Sequence, residues 1–483
     1  MPSSDFHLQL QKWAQKYGPI FSLKLGSQTL VVLSGPDGVK DLLDKRSNVY
    51  SGRPAVFIRE FGDDLNILMR TNDETWRRQR KMYHVQLNVN VADKYIPYQD
   101  FESKELLWDL LMSPENFNLH LKRFTTSLAS TMAYGWRTTS VDLPQWIEGY
   151  AVAASQMQIM DWYPILRPIF RRLPSKISGI QDEIIRLKNI EEHLWFSLMQ
   201  DAQDRMKEGE MNESFCRDML LENMSEGKDQ LTPKEIAFNA GHAWAGATDT
   251  TYNTLQGFLK AMILFPDVQR EAQKEIDSVV GKDRLPEWTD LANLPYVQSC
   301  VKETLRWSPT TITGGMPHCV AKDDIYMGYR IPAGASILQN VWTLNSRVRT
   351  PREFDPTRHF EDRLSSQESA VQADSNKRDH FTFGAGRRIC PGLHVADRSL
   401  FITISRLLWA FDITPEMDAS GQPVPIERDA ITPGFIVAPM PYKCTIRPRD
   451  EMRAKIIDSI WKSASESLDE NDNYNGHLHR DGA

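Results

Sequence analysis

Residues 383–392 read Phe383-Gly384-Ala385-Gly386-Arg387-Arg388-Ile389-Cys390-Pro391-Gly392. This glycine-rich turn around one cysteine fits the pattern F-x-x-G-x-R-x-C-x-G at every specified position. It has two ordinary explanations. A free cysteine is often simply a small core residue. A zinc site could use His380 and His394, which flank Cys390, although it needs a fourth ligand and more usual spacing. The coincidence of all the specified positions outweighs both and makes Cys390 the centre of the chemistry.

Upstream of this turn the chain reads as mainly helical. The strongest element starts at Thr232-Pro233-Lys234-Glu235, where Thr caps, Pro fits the first turn and Glu stands three residues after the cap. The next proline is Pro266, so the helix runs about 33 residues, roughly 50 Å, across the whole protein. A second helix is predicted over 295–308, closed by Pro309, and a short amphipathic one over 8–17. Strands are predicted at 20–25 and 29–34 across the turn Gly26-Ser27, and alternation over 325–342 gives a small β region. Proline-rich breaks fall at 161–168 and 173–174, and no internal repeat is evident. The expected organisation is one catalytic domain over 1–450, then a polar tail over 451–483, a short helix followed by a mobile segment without core-forming residues.

Composition narrows the class. With 57 Lys and Arg against 64 Asp and Glu the net charge is −7, which lacks the basic footprint of a nucleic-acid binder. Five cysteines without C-x-x-C spacing (216, 300, 319, 390 and 444) signal neither a disulfide framework nor a structural zinc module and suggest a reducing compartment. No uninterrupted apolar run reaches membrane-spanning length, and residues 1–12 are polar with no signal-peptide core.

The cysteine loop resembles the haem-binding loop of the cytochrome P450 superfamily, which implies a mainly α fold with a small β region and a long central helix crossing over a haem. On that resemblance Cys390 is the haem iron axial ligand, Gly386 and Gly392 let backbone approach the porphyrin and turn N–H groups to the sulfur, Phe383 shields the sulfur, and Arg388 reaches a propionate. Trp76 and Arg80, W-x-x-x-R at i,i+4, resemble the family's propionate-contacting helix, and His318 falls where many members hold the second propionate. Gly246-Ala247-Thr248-Asp249-Thr250-Thr251 is similar to the oxygen-activation motif. Thr250 there can bond back to the carbonyl at 246 and open the helix, with Asp249 and Thr250 as the proton relay. Glu303 and Arg306 form E-x-x-R, and Pro356-Thr357-Arg358-His359 looks like the P-x-R segment that supplies Arg358 to a buried ion network. E-x-x-R alone is uninformative, because Glu74/Arg77 and Glu183/Arg186 match it too.

The resemblance extends from Lys16-Tyr17-Gly18-Pro19 to Pro439-Met440-Pro441-Tyr442 and is nearest to filamentous-fungal members devoted to secondary metabolism. It implies a monooxygenase inserting one oxygen atom from O2 into a lipophilic natural-product intermediate, by hydroxylation or epoxidation. Electrons come from NADPH through a separate reductase, which could dock near Arg77, Arg78 and Lys81. Family topology suggests Phe57, Phe61, Ala243, Ala247, Thr311, Ile312 and Ile436 as substrate contacts. The family implies the cytoplasmic face of the endoplasmic reticulum, yet no apolar anchor precedes Ser3. Truncation or peripheral docking through apolar loops such as 162–170 would account for that. Arg347-Val348-Arg349 stands where relatives commonly carry Arg-Asp-Pro. The alternatives are an oxidative-coupling or multi-step oxidase of the same family, a non-catalytic haem-thiolate sensor, and a helical scaffold without cofactor.

Overall fold

The computed structural model describes residues 5–57, 59, 65–140, 161, 163–172, 180–209, 212–224 and 230–475. Phe61 and Trp162 lie outside them. Helix α1 (Phe6–Tyr17) leads into the hairpin β1 (Ile20–Leu25) and β2 (Gln28–Leu33). The helical body follows as α2 (Glu74–Leu87), α3 (Ile96–Met112), α4 (Phe117–Tyr134), α5 (Ile180–Glu208), α6 (Phe215–Met224), α7 (Pro233–Leu264), α8 (Pro266–Val279) and α9 (Pro295–Trp307). Short strands β3 (His318–Cys319), β4 (Asp324–Tyr326), β5 (Tyr329–Ile331) and β6 (Ser336–Gln339) precede α10 (Leu393–Ala410), β7 (Phe411–Pro415), β8 (Cys444–Pro448) and α11 (Glu451–Ser465).

The long helix forms for the local reasons its sequence gives. Thr232 Oγ1 accepts from the Glu235 N–H at 3.2 Å while the Glu235 carboxylate accepts from the Thr232 N–H at 2.9 Å, a reciprocal cap. At the other end Pro266 starts α8 and forces Phe265 out of helical geometry. The apolar stripe of α7 packs chiefly on α4, α5 and α10, so the helix runs through the main core. The sheet has the order β1-β2-β6-β3, antiparallel at both edges and parallel between β2 and β6. The alternating run over 325–342 is divided: Met327 and Gly328 take positive φ and turn β4 into β5, and Val341–Asn345 is helical.

The short helix expected after residue 450 is α11, but core contact continues past it to Tyr474, where a mobile segment was expected. Helix α11 packs on α3, and after it Tyr474 is buried, its hydroxyl donating to Glu102 Oε1 at 2.8 Å. Glu102 is fully buried between Arg123 and Arg137, and a buried carboxylate demands a partner for each lone pair. Tyr474 answers that demand from a segment that looks polar in sequence. Among the described residues no helix is long and apolar enough to cross a membrane.

Candidate active site

The cysteine loop is a turn locked at both ends. The Cys390 N–H donates to the Phe383 carbonyl at 2.8 Å, and Phe383 lies edge-on to the buried His380 ring at 5.3 Å. Burial pushes the Cys390 thiol above its ordinary value, opposed by the Gly392 N–H and the charge of Arg80. Gly392 therefore turns its N–H to the sulfur. Gly386 does not. Its N–H donates to Asp44 Oδ1 at 2.8 Å, its φ is +63°, and a Cβ there would stand 1.9 Å from the Leu43 carbonyl oxygen. The glycine is needed because segment Val39–Lys45 presses on the loop. His394 turns its Nδ1 to Gln367, and the described residues contain no cluster of three or more metal-ligating side chains, so the zinc reading finds no ligand set.

Beside this loop, positive charge accumulates with no ion-paired carboxylate among the described residues. Arg388 stacks 3.9 Å over the Trp76 ring and donates to the carbonyls of Ser51, Ile67 and Arg70 at 3.0, 3.2 and 2.7 Å. Arg80, one turn beyond Trp76 on α2, donates to the Ile389 carbonyl. A third guanidinium, which the sequence did not point to, comes from Arg53, bonded to the carbonyls of Leu68, Met316 and Pro317 at 2.8, 2.6 and 3.0 Å. None of the three forms an ion pair among the described residues. Burial, then the charges of Arg53 and Arg80, pulls Arg388 down to about 8, and burial with Arg80 pulls Arg53 down to about 9. His318 is buried alongside, with Nδ1 2.7 Å from the Tyr50 carbonyl. Burial and the neighbouring Arg53 hold its pKa near about 3. The buried Trp76 Nε1 has no hydrogen-bond partner among the described residues. Such a cluster is complete only with a multiply anionic group that also accepts hydrogen bonds. The residues present fit a haem, whose carboxylates Arg53, Arg80, Arg388 and His318 would hold.

Helix α2 ties this cluster to α7. Gln79 Nε2 donates to Asn239 Oδ1 at 3.0 Å and the Tyr83 hydroxyl to the Asn239 carbonyl at 2.7 Å. Farther along α7, Gly246 is exposed although its helix runs through the core, and a Cβ there would meet nothing within 4 Å. Thr250 Oγ1 donates to the Gly246 carbonyl at 2.8 Å, the back-bond read from sequence. The expected opening of the helix is absent: Thr248 and Thr254 make the same bond to Trp244 and Thr250, and α7 continues unbroken. Asp249 points the other way and pairs with Lys122 of α4.

Behind the loop lies a paired network. Arg306 grips Glu303 through two bonds of 2.7 Å, His359 Nε2 lies 2.8 Å from the same carboxylate, and His359 Nδ1 lies 3.1 Å from Asp379. Arg358 Nε pairs with Glu303 at 3.5 Å, and its terminal nitrogens donate to the Arg349 and Thr350 carbonyls at 2.6 and 3.0 Å. His359, its neighbour in the quoted segment, is a further and closer partner of Glu303 that the sequence reading did not name. Asp379 carried no sequence signal. Arg347, in the same departing stretch, lies over the Phe381 ring.

Comparison with known proteins now decides the family. The profile described as Cytochrome P450 matches residues 2–446. The chain belongs to the cytochrome P450 family. It is 40% identical over 487 residues to the cytochrome P450 monooxygenase virE of Hypocrea virens, covering 97% of this chain and 86% of that protein. It is 38% identical over 485 residues to the cytochrome P450 monooxygenase fsoB of Humicola fuscoatra, covering 97% and 88%. A solved zebra fish cytochrome P450 with progesterone superposes with a TM-score of 0.74 at 21% identity, covering 93% of this chain and all of that one.

This cytochrome P450 is therefore an oxygen-incorporating oxidoreductase of the monooxygenase type, and its family holds a cysteine-ligated haem and works with a redox partner on small molecules and O2. The suggested substrate contacts separate in the structure. Ala243 and Ala247 are half-buried on α7, and Thr311 and Ile436 are also partly accessible. Phe57 is fully buried, its N–H donating to Asp161. Ile312 is buried in a satellite cluster with Trp342 and Val437. Of the suggested docking residues, Arg77 and Lys81 are exposed, whereas Arg78 pairs with Glu235 in the cap of α7.

Proposed function

We propose that this cytochrome P450 oxygenates a lipophilic natural-product intermediate, by hydroxylation or epoxidation, with Cys390 as the axial ligand and electrons drawn from NADPH through a separate reductase. The observation that carries the assignment is the convergence of three guanidiniums, without an ion pair among the described residues, beside a partly buried cysteine whose sulfur receives the Gly392 N–H. Haem held there supplies the activation of dioxygen. Trp76, Arg80, Arg388 and His318 hold the haem carboxylates, with Arg53 as a further member, and Phe383 walls the sulfur from water. Arg358, Arg306 and Glu303 serve the fold behind the loop.

Protons are handled on α7. Thr250 parks its hydroxyl proton on the Gly246 carbonyl beside the open face, where a χ1 rotation redirects it toward the reacting atoms. Asp249, one third exposed and held by Lys122, links that position to solvent. The small side chains Ala243 and Ala247 leave room for substrate, with Phe57, Thr311 and Ile436 around it. The reductase approaches Arg77 and Lys81, and the protein works at the cytoplasmic face of the endoplasmic reticulum.

Thr250→Ala, assayed with the reductase, tests the relay. The expected outcome is at least about a tenfold fall in product formed per NADPH, with the electrons recovered as hydrogen peroxide, and restoration by Thr250→Ser. Full coupling in Thr250→Ala would remove Thr250 from the relay.

A further inference from the structure

One buried titratable side chain near the open face of α7 belongs to none of the clusters above. His242 stands four residues before Gly246 and eight before Thr250, so it shares their side of the helix. Its side chain is 8% exposed, and neither ring nitrogen has a hydrogen-bond partner among the described residues. Apolar rings bound it, Phe238 at 5.8 Å and Trp195 of α5 at 6.2 Å. The Glu191 carboxylate, also on α5, lies 3.3 Å from Nε2. On the side of α7 turned toward α4, Trp244 does find a partner, donating to Ser130 Oγ at 2.9 Å. Nε2 faces Glu191, but a buried imidazole is normally matched on both nitrogens, and an Nδ1 left unmatched among apolar rings, beside a helix face with open space, points to a ligand that completes it.

The carboxylate next to Nε2 favours the tautomer with its proton there, which leaves the Nδ1 lone pair to accept. We infer that His242, oriented by Glu191, anchors the substrate by accepting a hydrogen bond from a hydroxyl group on an otherwise lipophilic molecule. The inference rests on the reading of the α7 face as the substrate chamber and narrows the substrate class from any lipophile to hydroxylated ones. Trp195, Phe238 and Ala243 supply the apolar surround, and the imidazole fixes which end of the molecule lies at the α5 flank. A site built to bond an O–H discriminates against an analogue that lacks it more sharply than an apolar pocket discriminates by size.

The test uses haem-loaded protein and two probes of one ring system, 2-naphthol and 2-methoxynaphthalene, titrated by the change in the haem absorption band. The wild type is expected to bind the naphthol at least about tenfold more tightly, the worth of one hydrogen bond in a desolvated site. His242→Phe should abolish that preference while leaving the ether's Kd within about twofold, and His242→Gln, which keeps an acceptor, should retain part of it. A preference missing from the wild type, failure of both probes to bind, or a preference that survives in His242→Phe overturns the inference. A purely structural tie between α5 and α7 would lower the melting temperature of both variants and leave the binding ratio alone. The carbon monoxide difference spectrum of each preparation keeps the two readings distinct. With the thiolate band present, a failed preference sinks only the role of His242, whereas a wild-type band without thiolate character sinks the active-site reading as well.

Discussion

The buried charges on the two sides of the cysteine loop are arranged in opposite ways. At Glu303 every charge meets its complement: Arg306 and His359 face the carboxylate, and Asp379 faces His359 and Lys302. At Arg388 like meets like, with Arg53, Arg80 and Arg59 as neighbours against the weaker pull of Asp73, and among the described residues no carboxylate forms an ion pair with Arg388, Arg53 or Arg80. Burying an ion costs several kcal/mol unless its partner is buried too. The first cluster is therefore complete within the chain and can serve the fold alone, whereas the second, among the described residues, lacks its anions, which the proposed haem would bring. The contrast separates scaffold from site without reference to any relative.

It breaks most visibly at Glu303. Glu303→Ala leaves Arg306 and His359 buried without their carboxylate and is expected to destabilise the chain by about 3–5 kcal/mol, with or without haem, as read by denaturant unfolding. Arg388→Met should behave otherwise. Relief of repulsion offsets the lost carbonyl bonds, so the haem-free chain changes by under about 1 kcal/mol. The loaded protein, however, should release haem to an acceptor protein roughly tenfold faster, about 1.4 kcal/mol. A large loss of stability in haem-free Arg388→Met would show that the second cluster, too, is scaffold.

A smaller effect follows from titrating the paired cluster. Burial works against the His359 imidazolium, but the hydrogen bonds and charges of Asp379 and Glu303 more than reverse it and raise its pKa above the ordinary 6.5. Its contribution is complete below pH 6.5 and is lost as pH rises through the raised value. Against their burial, Glu303 and Asp379 are held below their ordinary 4.5 and 3.8 by their cationic partners, so their contribution is complete above pH 4.5 and lost as pH falls through the lowered values. The cluster therefore stabilises most between about pH 4.5 and 6.5. A His359→Gln variant should lose the alkaline part of the wild type's pH dependence of melting, and an unchanged slope would remove His359 from the account.

These clusters also mark how far the sequence is legible. Glu183/Arg186 and Glu303/Arg306 are the same pattern, yet the first is an exposed pair about half accessible on both sides and the second is buried. Spacing identifies neighbours on a helix and says nothing of what packs over them. The capping box of α7 and the cysteine loop were readable because their determinants are local. Arg53 was not, since the carbonyls of Met316 and Pro317 that hold it lie more than 260 residues away. Gly386 was assigned to the wrong neighbour for the same reason, because the oxygen that excludes its Cβ belongs to Leu43. His359 sat inside a recognised segment and was not singled out beside Arg358, although its imidazole lies closer to Glu303 and deeper in the core.

The distinction between paired and unpaired charge also sorts the basic surface of α2, at the smallest scale. Arg77, Arg78 and Lys81 look equivalent in sequence, but Arg78 is committed to Glu235 and so to the cap of α7, while Arg77 and Lys81 are exposed. Only exposed, uncommitted charge can meet an acidic partner, and its effect is screened within a Debye length of about 8 Å at physiological salt. Joint reversal, Arg77→Glu with Lys81→Glu, is expected to raise the KM for the reductase about fivefold at low ionic strength and less than twofold in 0.5 M salt. Arg78→Gln should leave that KM unchanged and instead lower stability by about 0.5–1 kcal/mol, as its partner carboxylate stays in the capping box. Equal effects of the two variants on the reductase KM would mean that pairing does not remove Arg78 from the docking face, and charge pairing would then fail as a guide to which cations serve the fold.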